Sequence, residues 1–252
     1  SVIRVLIVDD SAFVRKVVRA MLSRHPYIDV VGAARDGTEA LEMVEQLEPD
    51  VITCDLLMPK LDGVGFVREQ MARRPLPILV LTATPEDGEQ ALMAMESGAL
   101  DVVQKPTALA NERLLEIRDE LVDKVKAVAG APVRKLAPAV APSFQPVVRK
   151  THRYEIVVIA ISTGGPQALR YLLPQFPGDF PVPVAMVLHM PLGYTEMFAE
   201  KLNELSALEV REARSGLEIC PGRVVLAQAG RHLVLKRKAD GRVEAQLPVA
   251  PV

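Results

Sequence analysis

The chain has 252 residues, 49% of them hydrophobic, enough for one large domain or two ordinary ones. Its 30 basic and 32 acidic side chains leave a net charge of −2, which argues against a protein dominated by nucleic-acid binding. No apolar run reaches the roughly 18 residues that span a bilayer, so no membrane insertion is expected.

From the N-terminus to about residue 129, short apolar runs alternate with longer helical patterns. Strands are predicted over 2–8, 29–33, 51–54, 78–82 and 101–104, and helices over 12–24, 37–47, 64–73, 88–97 and 111–128. β–α repeats of this size predict a doubly wound parallel sheet. Cys54 lies inside an apolar run far from Cys220, so a buried free thiol is expected rather than a disulfide, as in a reducing compartment. No charged-then-apolar signal segment opens the chain.

Pro132, Pro138, Pro142 and Pro146 then break any regular element, among charges that are all basic. The expected division is a domain over 1–125, a linker over 126–153 and a second α/β domain over 154–252. In the second domain a strand over 155–161 should lead into a helix through 168–173, with Pro166 suited to its first turn. A strand over 182–188 and a helix over 195–205 follow. Residues 208–248 read as strands and turns, with Ala239-Asp240-Gly241 a hairpin turn. So few strands would leave this sheet an open edge.

Parallel sheets bind ligands at the carboxyl ends of their strands. Asp9 and Asp10 end the first run, Asp55 the third, Thr82 the fourth, and Lys105 follows the fifth. One such aspartate alone reads as a helix cap or a turn residue. Carboxylates gathered from separate strands repel unless a cation sits among them, which points to a Mg²⁺ site accepting a phosphoryl group. Asp10 and Asp55 are the direct ligand candidates and Asp9 acts through water. Lys105 would pair with the added phosphoryl oxygens, and the Thr82 hydroxyl could move onto them.

The motifs Val8-Asp9-Asp10-Ser11, Asp55-Leu56-Leu57-Met58-Pro59 with Asp62-Gly63, Leu81-Thr82-Ala83 and Gln104-Lys105-Pro106 resemble the flavodoxin-like receiver domain of two-component response regulators. That resemblance implies phosphorylation of Asp55 by a histidine kinase, with Mg²⁺ held by Asp10, Asp55 and the Leu57 carbonyl. Many receivers carry an aromatic switch residue three before the lysine; here that position is Val102.

Ser162 falls between a buried strand and a glycine-bearing turn that opens a helix, the setting of a nucleophile elbow. Ala160-Ile161-Ser162-Thr163-Gly164 differs from G-x-S-x-G only at its first position, and His189 at another strand end could take the serine proton. The same turn can also cap a helix or cradle a phosphate. Ile159-Ala160-Ile161-Ser162-Thr163-Gly164-Gly165-Pro166 and Leu188-His189-Met190-Pro191 resemble the nucleophile loop and histidine segment of chemotaxis protein-glutamate methylesterases (CheB-type). Tyr194-Thr195, Cys220-Pro221-Gly222 and Gly230-Arg231-His232 continue the match, as does the order of receiver, linker and catalytic unit.

The family resemblance implies a cytoplasmic, phosphorylation-regulated enzyme. Its partners would be a chemotaxis histidine kinase and methylated chemoreceptors, and Ser162 with His189 would hydrolyse glutamate γ-methyl esters and deamidate glutamines. An unphosphorylated receiver is expected to cover the Ser162 cleft. The family's third catalytic residue, an aspartate in a Gly-Met-Gly-x-Asp-Gly turn, is not among these 252 residues, and Asp240, in its hairpin setting, does not inherit the role. The alternative is a phosphorelay module with an inactive effector remnant. A DNA-binding regulator would need a basic recognition helix after the linker, and none is visible.

Overall fold

The computed structural model describes residues 2–106, 114–131, 133 and 154–248. The chain separates into two compact units, residues 1–137 and 138–252.

The first unit runs β1 (Ile3–Val8), α1 (Ala12–Leu22), β2 (Ile28–Ala34), α2 (Gly37–Leu47), β3 (Val51–Asp55), α3 (Gly63–Arg73), β4 (Ile78–Thr82), α4 (Gly88–Ser97), β5 (Asp101–Gln104) and α5 (Leu114–Val128). Its five parallel strands are ordered β2-β1-β3-β4-β5. The strand order reverses between β1 and β3, which makes the carboxyl edge there the ligand-binding crevice. The strands read as continuous apolar runs because helices cover both faces of such a sheet. Val5, Ile7, Val51, Leu79, Leu81 and Val103 form one core with Val14, Val18 and Leu22 of α1 and Leu121, Val125 and Val128 of α5. Since Val128 is buried there, the packed part of this unit passes the expected boundary at 125. Cys54 is a buried free thiol, as expected. Most of the expected linker, and positions 111–113 of the fifth predicted helix, lie outside the described residues.

Aspartate and serine caps set where several helices begin. Ser11 Oγ accepts from the Val14 N–H, Asp36 Oδ1 from Glu39 and Asp62 Oδ1 from Gly65, at 3.3, 2.9 and 2.7 Å. The first helix ends at Leu22, two residues short of expectation. Pro26 disfavours helical geometry at His25, and the chain closes a turn instead, with the His25 N–H donating to the Leu22 carbonyl. A short 3-10 turn at Pro85–Asp87, not anticipated, precedes α4.

Gly63 permits the tight β3–α3 return. Its N–H donates to the Leu56 carbonyl at 2.9 Å. A Cβ there would lie 2.1 Å from the Asp55 carbonyl oxygen and 2.7 Å from Leu56 Cα, both backbone atoms. Gly63→Ala is therefore expected to lower stability by about 2–3 kcal/mol, read as a fall in denaturant midpoint. An unchanged midpoint would show that the loop relaxes freely.

The second unit runs β6 (Val157–Ile161), α6 (Gly165–Leu172), β7 (Val184–Leu188), α7 (Thr195–Leu205), β8 (Glu209–Glu212), β9 (Arg223–Leu226), β10 (Val234–Arg237) and β11 (Val243–Gln246). A four-stranded parallel sheet is ordered β6-β7-β9-β8, and β10 and β11 form a separate antiparallel hairpin. Both leading strands start later than expected. Pro181 and Pro183 cannot donate to a ladder, so β7 begins at Val184, and the Val157 N–H pairs with the Pro183 carbonyl to begin β6. The helix α6 starts at Gly165, earlier than expected, with Pro166 in its first turn.

The hairpin turn at Ala239-Asp240-Gly241 is present, with Gly241 at φ +86° and the Lys238 N–H bonded to the Arg242 carbonyl at 2.7 Å. Strands β8 and β9 are parallel with no helix between them. Their connection instead lies against the hairpin, through Gly216 N–H to Ala245 O and Ile219 N–H to Val243 O. Among the described residues no strand pairs with the outer edge of β6, where Val158 is 62% exposed.

Candidate phosphoacceptor and hydrolase sites

In the first unit, the β1, β3 and β5 ends converge. Asp9 is fully buried and Asp55 nearly so, while Asp10 is exposed. Lys105 Nζ lies between the two buried carboxylates, 3.0 Å from Asp9 Oδ2 and 2.9 Å from Asp55 Oδ2. One carboxylate oxygen from each of Asp9, Asp10 and Asp55 falls within 4.8 Å of the others. Asp9 Oδ2 thus has Lys105 as its ionic partner. An all-oxygen set drawn from three carboxylates matches the donor chemistry of a hard divalent cation. Leu57 sits on the loop just past Asp55 and is 55% exposed.

Thr82 is the last residue of β4. Its hydroxyl is engaged on the β4–α4 loop, 3.2 Å from the Thr84 carbonyl and 3.3 Å from Asp87 Oδ2. The Lys105 N–H is bonded to the Thr82 carbonyl at 2.6 Å, which joins the two strand ends. Val102, at the position of the usual aromatic switch, is fully buried on β5.

Sequence reasoning missed Arg15 and Asp87. The Arg15 guanidinium donates to the Asp9 and Asp10 carbonyls at 2.7 and 3.0 Å and so braces the acidic turn. Nothing in its place on an amphipathic helix announces this. Asp87 was signalled by the Thr84-x-x-Asp87 capping-box spacing.

Burial is the largest cause that pushes Asp55 from 3.8 up to about 6, with Asp9 and Asp10 adding to it and Lys105 opposing it. Burial likewise raises Asp9 against the attraction of Lys105. For Lys105 burial acts downward, but the Asp55 and Asp9 carboxylates outweigh it and raise the ammonium. A carboxyl that holds its proton more tightly when folded makes stability fall as it ionises. For Asp55 that penalty is absent below about pH 4, grows as pH rises to about 6, and is complete above. It amounts to roughly 3 kcal/mol at most. In chelator, Asp55→Asn is expected to be more stable than the parent above pH 6, with the advantage vanishing near pH 4. Added Mg²⁺ should stabilise the parent and not the variant. A pH-independent difference in denaturant midpoint would contradict the burial argument.

In the second unit, Ile161 and Leu188 are register partners on the adjacent parallel strands β6 and β7. Ser162 and His189 follow them directly and are both exposed. They thus occupy neighbouring strand ends, with backbones about 5 Å apart by strand spacing. After Ser162 the chain turns sharply, with Gly164 at φ +76° and the Gly165 N–H on the Ser162 carbonyl at 2.7 Å. A Cβ at Gly165 would meet Leu188 Cδ1 at 2.5 Å, so the absent side chain lets α6 start close against β7. The helix N-terminus beside Ser162 favours developing negative charge.

A network that sequence did not signal ties the neighbouring ends together. The hydroxyl of buried Thr195, which opens α7, donates to Glu212 Oε1 at 2.5 Å and accepts from the Ala229 N–H at 3.2 Å.

Residues 5–117 match the response regulator receiver domain family, and residues 157–251 match the CheB methylesterase family. The protein-glutamate methylesterase/protein-glutamine glutaminase 5 of Myxococcus xanthus is 52% identical over 242 residues, spanning 94% of this chain and 69% of the relative. The chain belongs to that family. The Symbiobacterium thermophilum protein-glutamate methylesterase/protein-glutamine glutaminase is 44% identical over 257 residues, 96% of this chain and 70% of the relative. Among solved structures, the response regulator domain of Thermotoga maritima CheB aligns at 36% identity and a TM-score of 0.47, covering 51% of this chain and 97% of that domain. The methylesterase/glutaminase match thus extends across both units and across both sites. No helix among the described residues is long and apolar enough to cross a membrane.

Proposed function

We propose that this chain is a phosphorylation-regulated protein-glutamate methylesterase and protein-glutamine glutaminase of the chemotaxis type, with Asp55 as phosphoacceptor and Ser162 as nucleophile. The observation that carries the reading is the pairing of two sites in one chain: the Asp9–Lys105–Asp55 cluster, and Ser162 beside His189 at neighbouring strand ends. The relatives' names supply the substrate class, glutamyl esters and glutaminyl amides of proteins. The finer assignment, methylated chemoreceptors as substrate and a chemotaxis histidine kinase as phosphodonor in the cytoplasm, belongs to the same proposal.

The oxygen donor set suits Mg²⁺: Asp10, Asp55 and the Leu57 carbonyl would hold it, with Asp9 acting through water, and it would supply charge neutralisation for the transferring group. The chain's own residues do the rest. An Asp55 oxygen attacks phosphorus, the bond to the donor's imidazole nitrogen breaks with its electron pair leaving on nitrogen, and an acyl phosphate results. Lys105 stays within reach of the new phosphoryl oxygens. In the second unit, Ser162 Oγ attacks the ester carbonyl carbon and His189 accepts its proton. Collapse of the tetrahedral adduct expels methanol, or ammonia from an amide, which His189 protonates. Water, deprotonated by His189, then releases glutamate and restores Ser162.

The test is methanol release from methyl-esterified receptor with and without a small phosphodonor and Mg²⁺. Stimulation that vanishes in Asp55→Ala supports the reading. Release indifferent to the donor would overturn the regulatory half.

A further inference from the structure

We propose that Asp87 is a positioning residue that holds the phosphoryl switch in its resting state by occupying the Thr82 hydroxyl. The inference rests on the reading of Asp55 as phosphoacceptor and goes beyond it, since it identifies the group from which the phosphoryl must take its hydroxyl donor.

Asp87 Oδ2 is the hub of the β4–α4 loop. It accepts from the Thr82 hydroxyl at 3.3 Å, from the Ala83 N–H at 3.2 Å and from the Thr84 N–H at 3.1 Å. Thr82 itself is 2% exposed at the end of β4, and its carbonyl accepts the Lys105 N–H. Thr82 thus follows Leu81, the register partner of Asp55 on the adjacent strand, while its hydroxyl makes contacts on the loop with the Thr84 carbonyl and the Asp87 carboxylate. A hydroxyl carries a single donor hydrogen. It cannot serve Asp87 and a phosphoryl oxygen on Asp55 together. Both acceptors are anionic, but the Asp87 contact at 3.3 Å is longer than a strong charge-assisted O–H···O⁻ bond, so a well-placed phosphoryl oxygen can displace it.

The consequence is a two-state element. In one state Asp87 gathers the hydroxyl and two amides and fixes residues 83–87 as a tight turn into α4. In the other the hydroxyl swings to the phosphoryl group, and Asp87 retains only the amides that a helix cap needs. A ligand shifts such an equilibrium only by its differential affinity for the two states, so weakening the Asp87 bond biases the chain toward the phosphorylated arrangement.

The probe is beryllium fluoride with Mg²⁺, a stable mimic of the phosphoryl group, titrated into the full chain. Asp87→Ala is expected to bind it up to about tenfold more tightly than the parent, the upper end of the worth of one ordinary hydrogen bond. Asp87→Asn, which still caps both amides but without charge, should give a smaller gain of about threefold. Removing a negative charge near an anion site could raise affinity without any latch, so the decisive arm repeats Asp87→Ala in a Thr82→Ala background. The latch predicts that the gain disappears there. A gain that persists without the Thr82 hydroxyl, or wild-type affinity in both Asp87 variants with only a lowered denaturant midpoint, overturns the proposal and leaves Asp87 a helix cap. Absence of any Asp55-dependent binding in the parent chain instead overturns the phosphoacceptor reading, and the latch with it.

Discussion

Asp55→Ala is expected to abolish phosphoryl uptake. With acetyl phosphate and Mg²⁺ the parent chain should take up one phosphoryl group, and the variant none, a loss of at least ~10³-fold because the nucleophile itself is gone. The other carboxylates are poor substitutes. Asp9 is fully buried, with one oxygen accepting the Ser11 N–H at 2.8 Å and the other against Lys105. Asp10 is exposed and no ion pair fixes it among the described residues. Chelation of divalent cations should suppress labelling to a similar degree, because three acids facing one lysine leave excess negative charge to repel an incoming phosphate. Mass spectrometry of the intact chain reads both outcomes. Labelling that survives the substitution would reassign the acceptor.

The second large effect concerns Ser162. In subtilisin, loss of the serine or the histidine costs about 10⁶ in kcat. Ser162→Ala should therefore lower methanol release from methylated receptor by several orders of magnitude (~10³-fold or more), and His189→Ala by a comparable factor. The two together should cost little more than either alone, since the residues act as a unit. Equal release from parent and Ser162→Ala would remove the enzyme reading for this chain and leave a signalling module.

The first unit was legible in the sequence to within a few residues because its signals are local and agree. Fully buried parallel strands read as unbroken apolar runs, and Ser11, Asp36 and Asp62 mark helix starts by cap chemistry. Strand-end placement alone brought Asp9, Asp10, Asp55 and Lys105 together, and the structure assembles them. What the sequence hid is non-local. The contacts of the Thr82 hydroxyl with the Thr84 carbonyl and the Asp87 carboxylate depend on how the β4–α4 loop folds back, which no single residue type announces.

The second unit was less legible for a related reason. Its helix–strand alternation lapses after α7, and β8 and β9 run parallel because a hairpin from later in the chain packs against their connection. Alternation in residues 208–248 announces strands but not their partners. Ser162 and His189 each stood out by motif, yet their adjacency rests on β6 pairing with β7, a property of the sheet rather than of either segment. Thr195 and Glu212, seventeen positions apart, meet only once β8 is placed at the far edge.

The account depends on one aspartyl phosphate forming where buried acids from separate strands meet a lysine. Reduction of the phosphorylated chain with labelled borohydride turns an aspartyl phosphate into labelled homoserine, and peptide mapping locates it. Label confined to position 55 is the predicted result; label at position 9, 10 or 62, or at none, would contradict it.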